Sequence, residues 1–178
     1  KVPRTAPADL VHEPGDILSV RPQLWRIHRT RGTHVLAWNQ QRGFGPLPTM
    51  RYDPQHEPTG PSSEGVMYTA TSLATALAET FQTTRVVDSR SFGPQVTAWT
   101  PTRDLDLLDL TGNWALRNGA AFALATAPKS TCRAWARQIR ATWPDLDGLW
   151  APSTMTGDAN VVLWSPGRSS LPAGPSFS

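Results

Sequence analysis

Apolar and polar positions alternate along Leu24-Trp25-Arg26-Ile27-His28, and this two-residue period predicts a first strand over residues 23–28. Short apolar runs bounded by turn residues predict further strands over 66–70, 96–99, 105–110, 149–151 and 160–164. Between them a helical period takes over. Ser72 is suited to cap a helix running to about Thr83. Leu73, Leu77, Phe81 and Thr84 form one stripe of that helix, expected to face the core. The Ala-rich run from Asn113 to Ala127 predicts a second helix. A third starts at a Ser130 cap, carries Trp135, Ile139 and Trp143 on one face, and ends at Pro144.

Proline and glycine mark the gaps. Pro3, Pro7, Pro14 and Pro22 make residues 1–22 read as an extended arm. Gly43 to Ser63 reads as one long loop, and residues 167–178 as a flexible tail behind a domain of residues 23–166. Strands and helices are mixed without regular alternation. The expected class is therefore α+β, a compact mixed sheet with flanking helices, rather than a doubly wound sheet.

The chain has 178 residues, enough for one domain with a true core. Eight Trp and five Phe supply apolar area that a disordered chain lacks. The formal net charge is +3, and all but Lys1 and Lys129 of its 17 basic residues are arginines. Arginine grips phosphate and carboxylate with two parallel N–H donors, which lysine cannot do. The single cysteine, Cys132, excludes an internal disulfide and fits a small buried hydrophobe beside Trp135 and Ile139. No stretch approaches the roughly 18 apolar residues of a membrane helix, so no membrane partner is expected. With no internal disulfide possible, the cytoplasm is the default setting, and delivery into another cell as an effector domain is the alternative.

Several chemistries are set aside. Gly43-Phe44-Gly45 lacks the third glycine of a dinucleotide fingerprint, and no phosphate loop or His-Glu-x-x-His occurs. His12, His28, His34 and His56 have no metal-ligand spacing, so no metal site is expected. No Gly-x-Ser-x-Gly elbow is present.

Three segments stand out when read together. They are Leu24-Trp25-Arg26-Ile27-His28; Met50-Arg51-Tyr52-Asp53-Pro54 with Gly65-Val66-Met67-Tyr68-Thr69-Ala70 and Thr75-Ala76-Leu77-Ala78-Glu79; and Asp147-Gly148-Leu149-Trp150-Ala151-Pro152-Ser153 with Asn160-Val161-Val162-Leu163-Trp164. In this order and spacing they resemble the RES domain, named for its Arg, Glu and Ser. The resemblance covers about residues 23–166. It implies a fold similar to ADP-ribosyltransferases and an activity that degrades NAD by phosphorolysis or hydrolysis. It also implies a toxin held inactive by a helix-turn-helix antitoxin or an immunity protein. By matching position it makes Arg26, Glu79 and Ser153 catalytic, and Arg51, Tyr68 and Tyr52 substrate-binding. Thr49-Met50 precede Arg51 and Tyr52-Asp53 follow it, where many relatives carry a Gly-rich approach and an Asn.

The chemistry suits these residue types. NAD joins an anionic pyrophosphate to a cationic nicotinamide, and arginine forks would hold the pyrophosphate or an incoming inorganic phosphate. Cleaving an N-glycosidic bond builds positive character at the ribose C1, which a carboxylate stabilises. Glu79 lies about 200° around its helix from Leu77, off the apolar stripe. Ser153 is expected as a hydroxyl donor and not a triad nucleophile, since no partner for it is visible. NAD is thus a substrate and no cofactor is expected. Two other readings stay open: an ADP-ribosyltransferase acting on a macromolecule, and a non-catalytic nucleotide or nucleic-acid binding module. Arg26, Arg29, Arg31 and Arg42 are dispersed among apolar residues, which weakens nucleic-acid binding. The enzymatic reading expects Arg26, Glu79 and Ser153 to converge.

Overall fold

A computed structural model describes residues 2–178; Lys1, the first residue of the expected arm, lies outside them. The α+β class holds. In chain order the elements are β1 (Ile17–Val20), β2 (Leu24–Arg29), β3 (Arg42–Gly45), β4 (Gly60–Ala70), α1 (Leu73–Phe81), β5 (Pro94–Trp99), β6 (Leu105–Asp109), α2 (Trp114–Arg117), α3 (Lys129–Thr142), β7 (Gly148–Pro152) and β8 (Ala159–Trp164). The strands form one mixed sheet ordered β1-β6-β7-β8-β4-β2-β5, with β3 paired to residues 60–66 of β4. Among the described residues only β6 and β7 run parallel, joined through α2 and α3. The sheet is unevenly knitted. Five residue pairs join β4 to β8 and six join β2 to β5, but Trp25↔Ala70 alone joins β2 to β4.

Alternation sends successive side chains to opposite faces, and each face has its own core. Leu108, Leu149, Ala151 and Val162 meet Cys132, Trp135, Ala136 and Ile139 of α3 on one side. Leu24, Met67, Leu105, Leu107, Val161 and Leu163 pack with Trp99 on the other. Cys132 is buried in the first core, as a small hydrophobe would be.

The segments read as irregular are more ordered than their composition suggests. Within the N-terminal arm, residues 17–20 add β1 to the sheet edge. Upstream, Val11 exchanges hydrogen bonds with Asn118, and Trp135 donates its indole N–H to the Pro3 carbonyl (3.0 Å). The loop of residues 43–63 contains β3 and the start of β4. Gly43 and Gly45 are strand positions with no room for a side chain: a Cβ on Gly43 would sit 2.8 Å from the Ser62 carbonyl oxygen. At the C-terminus, Ser170 is buried and Phe177 pairs with Ala98 at the edge of β5.

Two helix expectations are corrected. The 113–127 run breaks at Gly119, whose φ is +75°. Ala120 N–H bonds to the Ala115 carbonyl and Gly119 N–H to Leu116, the paired closure that ends a helix. A short 3-10 turn over Phe122–Thr126 follows. The third helix starts one residue before Ser130, at Lys129, with Pro128 rather than Ser130 in the capping position. It ends as expected, because Pro144 drives Trp143 out of helical geometry.

The largest correction concerns α1. Its apolar stripe does not face the core. Thr75 and Ala76 are its buried residues, while Leu73 is 37% exposed and Leu77 and Phe81 are half-buried. The helix meets the sheet with its small and polar side, the side that carries Glu79.

Candidate active site

The first turn of α1 is fixed by hydroxyls. Ser72 Oγ accepts the Thr75 N–H (3.2 Å) and donates to Asp158 Oδ2 (3.1 Å). Thr75 Oγ1, fully buried, lies 2.7 Å from Thr156 Oγ1. These contacts tie the helix to the 153–158 turn between β7 and β8.

One turn further on, the Glu79 carboxylate reaches the same strand ends. Its Oε1 accepts two hydrogen bonds, from Ser153 Oγ at 2.7 Å and from Asn160 Nδ2 at 3.0 Å. Ser153 Oγ in turn accepts the backbone N–H groups of Met155 (3.1 Å) and Thr156 (3.3 Å). Gln82 Nε2 stands 3.4 Å from the second oxygen, Oε2. Glu79 and Ser153, far apart in the chain, are thus in direct contact. Asn160 was not among the residues singled out from the sequence. The available signal was its polarity at the mouth of the otherwise apolar Asn160–Trp164 run.

Arg51 and Tyr52 arrive on the segment after β3, which is anchored by a buried carboxylate. Asp53 accepts from Arg42 Nη2 (2.7 and 2.9 Å), from the Leu47 N–H (2.7 Å) and from the Tyr68 hydroxyl (2.9 Å). The Tyr68 oxygen also accepts the Tyr52 N–H (2.9 Å). Its hydroxyl is therefore spent on holding this segment, and burial pushes the phenol well above its ordinary pKa. Arg133 adds a second clasp, donating to the Pro48 and Met50 carbonyls at 3.1 Å each.

The Tyr52 ring is buried, and its hydroxyl has no hydrogen-bond partner among the described residues. Burial pushes the Tyr52 phenol above its ordinary pKa. Arg51 Nη1 donates to the Ala127 carbonyl (2.7 Å) and lies 3.8 Å from Cys132 Sγ. Burial pushes the Cys132 thiol up, away from thiolate reactivity.

Arg26 sits elsewhere. Trp25, Ala70 and Asn160 share one sheet face through their pairing, so alternation puts Arg26 on the opposite face with Leu24. Its Nη1 donates to the carbonyls of Ala37 (3.3 Å), Trp38 (2.6 Å) and Gln40 (3.0 Å). Burial lowers its pKa to about 10. Of the three residues expected to converge, Glu79 and Ser153 do so and Arg26 faces a different neighbourhood. Among the described residues, no group of three His, Cys, Asp or Glu side chains is placed to hold a metal ion. No helix among them is long and apolar enough to cross a membrane.

A family model described as the RES domain matches residues 23–177, nearly the whole chain. The chain belongs to the RES-domain family. The match runs through β8 and on to Phe177, in keeping with the packing of that segment against β5. No curated relative matches the RES chain. Among solved structures, a chain of the crystal structure of the M. tuberculosis MbcT–MbcA toxin–antitoxin complex is similar in fold. The TM-score is 0.58 at 16% identity, over 91% of this chain and 84% of that one.

Proposed function

We propose that this RES-domain chain is an NAD-degrading toxin that cleaves the bond between nicotinamide and ribose. The observation that carries the reading is the Glu79 carboxylate, bound at one oxygen by the neutral donors Ser153 and Asn160. Family membership and the fold shared with a toxin–antitoxin complex support it.

In the proposed reaction the bond between ribose C1 and the nicotinamide nitrogen breaks. Its electron pair leaves with nicotinamide, whose ring becomes neutral. The positive character left at C1 is stabilised by the negative Glu79. An oxygen of inorganic phosphate, or of water, then bonds to C1. When water is the acceptor, its proton passes to solvent in that step. Arg51 supplies the cation for a phosphate group, and the Tyr52 hydroxyl donates to a substrate oxygen. Tyr68 serves by holding the segment that carries both. Arg26 serves from the other face by holding the 37–40 turn. The proposed setting is the cytoplasm, where NAD is found, and the proposed partner is an antitoxin, helix-turn-helix in kind as the family resemblance implies.

Incubating the purified chain with NAD, with and without inorganic phosphate, tests the reading. ADP-ribose 1-phosphate formed only with phosphate means phosphorolysis, and free ADP-ribose means hydrolysis. Label transferred to a macromolecule would replace degradation with ADP-ribosyl transfer. Intact NAD under every condition would overturn the reading.

A further inference from the structure

We propose that Asn160 is a positioning residue for the Glu79 carboxylate, and that Ser153 acts through that carboxylate rather than on the substrate. The inference rests on the reading of Glu79 as the group beside the ribose.

A hydroxyl has one proton and two lone pairs. Both lone pairs of Ser153 Oγ face backbone N–H groups, those of Met155 and Thr156. Its proton is thereby aimed one way, at Glu79 Oε1. No proton remains for a phosphate or ribose oxygen. Asn160 meets the same Oε1 from the neighbouring strand, and its place is set by pairing to Ala70 on one side and Ala151 on the other. Two donors from adjacent strand ends pin one oxygen. The other, Oε2, takes one hydrogen bond among the described residues, from the Gln82 amide at 3.4 Å, and is the oxygen available to a ligand.

The chemical type of the donors matters. An arginine or lysine in either place would orient the carboxylate but cancel much of its charge. A hydroxyl and a neutral amide orient it and leave the charge whole. That is the requirement when the carboxylate must answer positive charge that develops only as a glycosidic bond breaks.

The full chain with NAD as the probe tests this through kcat and KM taken separately. Asn160→Asp keeps the shape of the side chain but replaces the donor with an acceptor. It is expected to lower kcat by about 10²-fold or more, the scale of losing an oriented catalytic group. Asn160→Ala and Ser153→Ala are expected to lower kcat by roughly tenfold or more with KM for NAD within about twofold, the pattern of an interaction made in the transition state. Asn160→His, which brings a ring N–H to the same side, is expected to recover part of the loss. A rise in KM with kcat unchanged would show that these side chains touch the substrate, and would overturn the inference. So would wild-type kcat in Asn160→Asp.

A second measurement needs no turnover. The carboxyl ¹³C resonance of Glu79, assigned by its disappearance in Glu79→Gln, is expected to move in both alanine variants. Melting temperatures within a few degrees of wild type would show that the fold is kept. A resonance that stays in place sinks the clamp, whether or not the wild-type chain degrades NAD. Intact NAD with a shifted resonance would instead keep the clamp and remove the proposed reaction.

Discussion

The helices α1 and α3 carry equally legible apolar stripes, yet they pack in opposite senses. In α3 the stripe goes inward: Cys132, Trp135, Ala136 and Ile139 are fully buried against the sheet. In α1 the stripe turns outward. Leu77 and Phe81 line an open groove of about 200 Å³ with Val86, Val87 and Met155, while Thr75, Ala76 and Glu79 meet the strands. The difference lies in what the sheet offers. Under α3 it presents Leu108, Leu149 and Val162, the middles of strands. Under α1 it presents Ser153, Thr156, Asp158 and Asn160, where strands end and polar groups need partners. A helix over strand ends is chosen for hydrogen bonding, and a helix over strand middles for apolar area.

Separate substitutions should pull the two roles apart. The largest effect is expected on turnover: Glu79→Gln keeps the size of the side chain and removes its charge. It should lower kcat for NAD by at least about 10²-fold with a melting temperature within a few degrees of wild type. Full activity would take Glu79 out of the site. Next in size, Trp135→Ala empties a fully buried position of α3 and should cost about 3–5 kcal/mol in denaturant unfolding. The finest contrast lies within α1. Thr75→Val removes a buried hydroxyl from its hydrogen-bonded group and should cost about 1–3 kcal/mol. Leu77→Ser, on the outward stripe, should cost less than about 1 kcal/mol. The reverse order would mean that α1 is held by its apolar face after all.

Periodicity was enough for the strands of the sheet centre and for α3, where burial and pattern coincide. It was misleading at α1, because a stripe tells which residues share a side and not which side the fold will bury. β1 and β3 escaped notice for another reason. Proline upstream and glycines within read as breaks, whereas Gly43 is demanded by the approach of the Ser62 backbone. Helix termini failed where closure is a matter of backbone geometry, as at Gly119. Of the site, Glu79 and Ser153 were legible only as members of an ordered set of motifs. Their contact spans |i−j| = 74 positions, which no local pattern encodes. Asn160 stood inside a motif but was not read as a site residue, because a single amide at a strand entrance has the same look whether it faces water or a carboxylate. Arg26 shows the converse, since alternation along β2 was readable but the pairing of Trp25 with Ala70, which decides its face, was not.

That same pairing has a mechanical consequence. Prying β8 from β4 would break a ladder of five residue pairs, and β5 from β2 one of six, whereas the seam between β2 and β4 is stitched once. Each backbone hydrogen bond contributes about 0.5–1.5 kcal/mol, so this seam is the line along which the sheet yields first under load. It runs through Ala70, the residue paired with Asn160, and the thinnest seam of the sheet therefore borders the carboxylate that Asn160 holds.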